Sequence, residues 1–221
     1  MIKIDKFQAQ CEAFSKEYRE AKAQLPRVTR LSRMLNAPIE AESAACGDLA
    51  CQRGCHHCCF LRVTAYPHEI VAIYMYLNQH LDKSQLEAVK HRIKKQYAVI
   101  RDKSEEEHYT TNVECPLLVH GECTAYAVRP MSCAAYHSLS EPQCRWSYEN
   151  PHIQIHGIPQ YKEIFDQKDI QRAVVANHAP IDEEYELIFA LHRLFQDPSQ
   201  IQRWRAGRRL IERPDQRSDK Q

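Results

Sequence analysis

Four cysteines and two histidines lie within nine consecutive residues, CQRGCHHCC at positions 51–59. Thiolates and imidazoles are the side chains that bind zinc, and thiolates hold iron–sulfur clusters. Cys55 and Cys58 have the C-x2-C spacing of a chelating turn, and Cys51 lies four residues before Cys55. The adjacent pair Cys58 and Cys59 fits one tetrahedral zinc poorly, because neighbouring side chains of an extended backbone point to opposite sides. The pair therefore suggests two centres, a cluster of several irons, or one thiol that binds no metal.

A second group of four cysteines follows at positions 115–144, where Pro116, Gly121 and Pro130 bend the chain. We call positions 46–59 and 115–144 the first and second cysteine arms. Metal bound between them would join distant segments, so that its binding free energy would contribute to folding. Four cysteines from each arm suit two four-thiolate sites, or one site with spare thiols. The candidate metal ligands are Cys51, Cys55, Cys58, Cys59, Cys115, Cys123, Cys133 and Cys144.

The remaining cysteines and the histidines of the first arm have weaker claims. Cys46 lies close enough to the cluster to be a minor candidate, whereas Cys11 lies on the apolar face of a predicted helix and is expected in the core. His56 and His57 are able to ligate metal or to hydrogen-bond to cluster sulfurs, although a solvated turn explains them equally well.

A disulfide scaffold is the main alternative, because ten cysteines in a secreted chain would suggest one. The first twenty residues argue against export, since they are charged and amphipathic and contain no apolar signal core. We therefore expect a reducing cytoplasm, where clustered cysteines hold metal more often than disulfides. No stretch approaches the roughly 20 apolar residues of a membrane span. A net charge of +1 gives no field that would attract nucleic acid.

The spacing of Cys51, Cys55 and Cys58 also matches the cysteine motif of radical-SAM enzymes. Those enzymes need a long βα barrel and glycine-rich contacts to their cofactor, whereas this chain has five glycines and its predicted elements are helices. The glycine spacings also exclude a GxGxxG or P-loop phosphate site. A short motif without its structural context is weak evidence, and we do not favour this interpretation.

Helical periodicity predicts a mainly α fold with short irregular β, in which helices surround a cysteine-rich metal-binding core built from the two separated arms. One domain is expected over 1–211, with N-terminal helices in 1–45, the core in 46–145, C-terminal helices in 146–211 and a disordered tail in 212–221. A strand is predicted at 60–66 and a polar linker at 104–112. The predicted helices cover 3–24, a weaker segment to about Asn36, 67–81, 82 or 84 to about 103, and roughly 160–177, 182–196 and 198–211.

Three charged features outside the cysteines have ordinary explanations. Glu69 lies early in its helix, where a carboxylate suits the helix dipole. Arg129 either stabilises nearby thiolates or forms a salt bridge with a carboxylate. The segment RWRAGRR at 203–209 is interpreted as the solvated face of a terminal helix rather than as a nucleic-acid site.

The chain resembles the YkgJ cysteine-cluster family, which is described as chelating zinc or iron. That family carries a C-x-x-C-x-x-C-C-like element, a downstream Glu-Ile, a Cys-Pro, a Cys-x-x-Tyr and an Arg-Pro before a further Cys. The resemblance covers about residues 51–137. The corresponding residues are Cys55-His56-His57-Cys58-Cys59 with Cys51 upstream, Glu69-Ile70, Cys115-Pro116-Leu117-Leu118, Cys123-Thr124-Ala125-Tyr126 and Arg129-Pro130-Met131-Ser132-Cys133.

The resemblance implies metal chelation and leaves the biological role open. Our leading hypothesis is that the metal has a structural role, or that the protein handles or senses a metal or cluster. The expected cofactor is an iron–sulfur cluster or iron, and zinc is supported almost as well. His57 and Ala134 depart from the family pattern, in which glycine and arginine are frequent at these places. The alternative is an iron–sulfur-dependent redox or protein-modifying enzyme, since flagellin lysine methylases carry a similar cluster. Beyond the metal, a protein partner that binds the terminal helices is conceivable.

Overall fold

Helices dominate the structure, a computed structural model that describes residues 4–52, 54–153, 158–179 and 182–212. The strands are short and form two antiparallel pairs, β1 (Thr64–Ala65) with β4 (Tyr185–Glu186), and β2 (Leu118–Val119) with β3 (Glu122–Cys123). The predicted mainly α fold with short β elements is therefore confirmed. The helices are α1 (Ile4–Ala23), α2 (Val28–Ala45), α3 (Pro67–His80), α4 (Lys83–Ile100), α5 (Glu105–Tyr109), α6 (Met131–Ala134), α7 (Glu141–Glu149), α8 (Lys162–His178), α9 (Leu187–Gln196) and α10 (Gln200–Arg205).

The first two helices form one wall of the hydrophobic core. Helix α1 buries a stripe at three- and four-residue steps that includes Cys11 and Phe14, as the periodicity predicts. Helix α2 continues to Ala45 rather than ending near Asn36, although Pro38 lies inside it. Its buried face packs against α3 and α8 on both sides of the proline, and this packing outweighs the local preference of proline.

Local capping explains where several other elements begin. Asp82 accepts a hydrogen bond from the backbone N–H of Gln85 and starts α4, as the sequence suggests. The polar linker predicted at 104–112 was wrong in part, because Ser104 and Glu107 form a capping box that starts α5. The strand predicted at 60–66 contracts to Thr64–Ala65, since β4 offers only two residues for pairing.

The C-terminal helices pack against the N-terminal one. Trp204 is fully buried, which contradicts a wholly solvated face for 203–209. Its ring N–H donates to Asp182 Oδ2 at 3.2 Å, and the hydroxyl of Tyr18 donates to the same oxygen at 2.5 Å. Arg205 donates to two carbonyl oxygens at the C-terminal end of α1. Helix α10 ends at Arg205, so the helix predicted over 198–211 is shorter than expected.

Two expectations fall at the limits of the described residues. The tail predicted at 212–221 lies outside them except for Glu212, and the division of 1–211 into one domain stays a prediction. Among the helices that the structure describes, none combines the length and the apolar character needed to cross a bilayer.

Candidate metal centre

The first cysteine arm is a loop that ends in a single 3-10 turn. Gly54 has φ +87, a left-handed conformation that glycine adopts without strain. The N–H of Cys55 bonds to the carbonyl of Gln52 at 3.0 Å, and Cys58 and Cys59 lie in the 3-10 turn His57–Phe60. The described residues of this arm form no α-helix, and turns determine where these thiols point.

The second arm begins with a tight hairpin. His120 and Gly121 both have positive φ, 51 and 78, which is the backbone of a two-residue type I′ turn between β2 and β3. The hairpin places Cys123 opposite Leu118, close to Cys115 at its start. The other two cysteines lie on helices, Cys133 in α6 and Cys144 in α7.

Backbone hydrogen bonds hold the first arm between two segments of the second. On one side, the N–H of Cys115 donates to the carbonyl of Cys59 at 2.7 Å. On the other side, Ala50 donates to the carbonyl of Ser138 at 2.9 Å, and the N–H of Ser138 donates to the Cys51 sulfur at 3.3 Å. The two arms, separated by α3 and α4 in the sequence, therefore converge as the metal hypothesis requires.

A cavity of about 1190 Å³ lies where the arms meet, and most of its lining is apolar. Seven of the eight predicted ligands line it, together with the minor candidate Cys46. Cys144 lies beside Cys58, in a separate small cleft that His57 also lines. Cys11 is buried in the core on α1, as predicted. The cysteines of the large cavity are Cys46, Cys51, Cys55, Cys58, Cys59, Cys115, Cys123 and Cys133.

The thiols form two electrostatically coupled groups around Cys58. The sulfurs of Cys58 and Cys59 are hydrogen-bonded to each other, and this bond and then burial raise the pKa of Cys58. After burial, the charge of Cys58 contributes to the raised pKa of members of both groups. The first group is Cys51, Cys55 and Cys144. The second group is Cys115, Cys123 and Cys133.

Burial favours the protonated form of Cys51, Cys115, Cys123, Cys133 and Cys144 in the absence of a cation. It raises the pKa of Cys115 to about 12, to which interactions with Cys123, Glu186 and Cys58 contribute, and it raises the pKa of Cys133 well above its ordinary value. A bound cation supplies the positive charge that stabilises thiolates, so metal uptake at this site would release protons. All ten cysteines are free thiols and remain available as ligands.

The donor set suits zinc, iron or an iron–sulfur cluster, since soft thiolates are the preferred protein ligands of all three. Within the described ranges, however, no three cysteine, histidine or acidic side chains surround a common point at metal-binding distances. We therefore expect the thiols that line the cavity to approach one another when a metal ion binds. In their chemistry, the residues present fit zinc, iron or an iron–sulfur cluster.

The two histidines of the first arm are anchored in different ways. His57 Nε2 lies 3.2 Å from Glu141 Oε1, and Glu141 also accepts two hydrogen bonds from Arg145. A carboxylate that orients an imidazole is common near metal sites. His56 Nδ1 lies 2.9 Å from the carbonyl oxygen of Gly54 and braces the turn. The alternative of a freely solvated turn therefore does not apply to either ring.

Arg129 combines both of the roles that the sequence suggests. Its guanidinium forms an ion pair with Glu40 at 3.2 Å and lies 3.8 Å from the ring centre of Tyr126. It also lines the cavity, where its charge opposes the rise in the pKa of Cys123 that burial causes. Arg129 is thus both a salt-bridge residue and a cation close to a candidate ligand.

Glu69 is the residue beside the site whose importance the sequence reasoning missed. Its side chain is buried, and its carboxylate accepts hydrogen bonds from the backbone N–H groups of Tyr66 and Met131. Burial raises its pKa to about 7, and these two donors oppose the rise. The sequence did contain an indication, because Glu69-Ile70 is an element of the family pattern. The favourable position of Glu69 in the helix dipole accounted for the residue without a role at the site.

The comparison with known families agrees with this site. Residues 50–152 match the family model CxxCxxCC, whose description is "Putative zinc- or iron-chelating domain". The matched range contains all eight predicted ligands, and Cys46 lies outside it. No curated protein and no solved structure gives a significant match to the chain. The family description supports the predicted metal-chelating domain.

Proposed function

We propose that this protein binds zinc or iron through thiolates of its two cysteine arms. The observation that carries the proposal is the cavity between the arms, whose walls hold seven of the eight predicted ligands as free thiols. A hydrophobic core has no use for so many thiols around one open space, because cysteine is packed singly in ordinary cores. The match to a metal-chelating family over the same residues adds independent support.

The coupling between thiols favours two centres rather than one. Cys58, one member of the vicinal pair Cys58–Cys59, interacts electrostatically with members of both the first and the second group, each of which has three thiols. One cysteine of the pair completes four thiolates on each side, which is the ligand number of closed zinc sites and of common iron–sulfur clusters. The proposal assigns each cysteine of the pair to a different centre.

The high thiolate count favours an iron–sulfur cluster slightly over zinc. A cluster would supply electron transfer or a reporter of iron status, whereas zinc in closed sites would stabilise the fold. Resemblance to the YkgJ family supports either metal and a role in metal or cluster handling, sensing or structure. Ten free thiols fit the cytoplasmic location that the sequence predicts. A protein partner on the terminal helices stays a prediction.

The first experiment is anaerobic purification followed by an absorption spectrum and elemental analysis of one sample. Iron with matching sulfide and a broad visible absorption identifies a cluster, and a colourless protein with stoichiometric zinc identifies zinc sites. We expect Cys58→Ser to lose at least half of the metal, because this thiol is coupled to both groups. The matched control is Cys11→Ser, which changes a buried cysteine outside the cavity and should retain all of the bound metal. Wild-type protein without stoichiometric metal would refute the proposal.

A second candidate function is an iron–sulfur-dependent enzyme, and the size of the cavity favours it. Its volume, about 1190 Å³, exceeds that of most small-molecule sites, which occupy roughly 300–1,000 Å³, so a substrate would fit beside a bound metal. Tyr109 and Tyr126 at its edge are exposed, and each stacks on an arginine. The Cys58→Ser sample separates a structural site from the other roles: a structural site loses the fold with the metal, whereas a catalytic or sensing site keeps its helical circular-dichroism spectrum.

A further inference from the structure

Glu69 is a buried carboxylate that connects two distant segments. It is the third residue of α3, and only 2% of it is exposed. One of its oxygens, Oε2, accepts a hydrogen bond from the backbone N–H of Tyr66 at 2.8 Å, which is a local contact at the helix start. A helix-dipole role would require no more than this contact.

The other carboxylate oxygen reaches across to the second cysteine arm. Oε1 accepts a hydrogen bond from the backbone N–H of Met131 at 2.7 Å. Met131 is the first residue of α6, where backbone N–H groups have no acceptor within the helix. Cys133 lies two residues further along this helix, and its own N–H bonds to the carbonyl of Pro130 at 2.9 Å.

Two other side-chain contacts fix the same segment from different directions. Asn36 on α2 donates to the carbonyl of Arg129 at 2.8 Å, and the hydroxyl of Ser132 donates to the carbonyl of Thr64 at 3.1 Å. Glu69 adds the ionisable acceptor, and it does so from α3, the first α-helix after the first arm. The carboxylate therefore joins the start of α3 to the start of α6, the helix that contains Cys133.

We propose that Glu69 is a positioning residue of the metal centre, which holds α6 so that Cys133 presents its thiolate to the metal. This inference rests on the proposed function, because Cys133 needs no such orientation in a protein that binds no metal. Partners that orient the ligands of a metal usually contribute about 10- to 100-fold to affinity. Glu69 acts through the backbone of α6 and need not touch the metal itself.

The test is the variant Glu69→Gln in the full chain. Glutamine has the same shape but a single acceptor oxygen, so it cannot accept from both Tyr66 and Met131. Zinc affinity is measured by competition with a chromophoric chelator, and cobalt(II) reports thiolate coordination through its charge-transfer absorption. We expect a loss of about 10- to 100-fold in zinc affinity and a weaker cobalt–thiolate band.

A double-mutant cycle with Cys133→Ser separates positioning from general destabilisation. If Glu69 acts through Cys133, Glu69→Gln causes no further loss of affinity once Cys133 has been replaced by serine. The matched control is Asp182→Ala, which removes another buried carboxylate, far along the chain and outside the cavity lining. It should lower the midpoint of thermal unfolding and leave zinc affinity unchanged.

The outcomes of the proposed function and of this inference are distinct. A wild-type chain that takes up no zinc, cobalt or iron refutes the proposed function. The role of Glu69 is overturned if the wild-type chain binds metal and Glu69→Gln has the same zinc affinity and the same cobalt spectrum. It is also overturned if Glu69→Gln lowers zinc affinity as much in the Cys133→Ser background as in the wild type. If Glu69→Gln does not fold, the same cycle is run with Asn36→Ala. Coupling to Cys133 then supports anchoring of this segment, and its absence rejects it.

Discussion

Among the histidines of the described residues, His68 differs from the others in having a fully buried ring. Neither ring nitrogen has a hydrogen-bond partner within the part of the chain that the structure describes. The imidazole stacks on Tyr66 at 5.8 Å, and its centre lies 6.1 Å from that of Phe14. Burial lowers its pKa to about 3, so the folded protein holds this side chain neutral at the cost of an unsatisfied polar group.

We expect His68→Phe to stabilise the protein and to reduce its sensitivity to acid. Below the ordinary histidine pKa of about 6.5, the unfolded chain takes up a proton that the folded chain refuses until about pH 3. Wild-type stability should therefore fall by up to about 1.4 kcal/mol per pH unit through this window, and His68→Phe should remove that slope. The variant should also gain about 1–3 kcal/mol at pH 7, because it buries no unsatisfied nitrogens.

Urea unfolding at pH 7 and pH 5 measures both effects. The exposed His91 provides the control, since His91→Gln removes no buried group and should leave the stability at pH 7 close to that of the wild type. If His68→Phe keeps the slope of the wild type, then His68 is protonated or hydrated in the folded state, and the structural account of this residue is wrong.

At the scale of single elements, the sequence predicted where helices exist better than where they end. The apolar stripes of α1 and α4 follow helical periodicity, so both were found from the sequence. The length of α2 could not be found from the sequence, because Pro38 suggests a local break. Only the packing of α2 against α3 and α8 shows why the helix continues. The types and spacing of the cysteines indicated the grouping of seven candidates around one cavity, and the role of all eight as metal ligands stays a prediction. The contact of Glu69 with Met131 was not predictable, because only the fold brings these residues together.

The contact between α1 and the C-terminal helix depends on one buried carboxylate. Asp182 accepts hydrogen bonds from Tyr18 and Trp204, and the ammonium group of Lys22 lies 4.6 Å from the centre of the Tyr18 ring. We expect Asp182→Ala to destabilise the protein by about 2 kcal/mol or more, because it leaves two buried donors without an acceptor. Urea unfolding followed by tryptophan fluorescence measures the loss.

A surface carboxylate serves as the comparison for this variant. Asp166 forms an exposed ion pair with Lys162, and such pairs contribute about 0–1 kcal/mol. Asp166→Ala should therefore stay close to the wild type. Equal stability of the two variants would mean that the Asp182 contact does not tie the terminal helices together.

For the whole molecule, we expect metal binding to draw the two arms together. The arms are joined to each other by few backbone hydrogen bonds, and within the described residues no three potential ligands form a group that could hold one metal ion. Metal that binds only the form with the arms drawn together stabilises it by mass action, by about 2.7 kcal/mol when the free metal is at 100 times its dissociation constant.

We expect a chelator to lower the unfolding midpoint and to open both arms to proteolysis. Thermal unfolding and limited proteolysis, with cleavage sites read by mass spectrometry, are compared before and after chelation. New cuts should fall in 46–59 and 115–144, because these loops lose their shared cross-link, whereas the α1–α10 contact contains no candidate ligand. Cys58→Ser should resemble the chelated wild type with or without chelator, and Cys11→Ser should resemble the untreated wild type. If metal binds without changing the unfolding midpoint or the cleavage pattern, then binding does not draw the arms together. The bound metal would in that case contribute nothing to the stability of the fold.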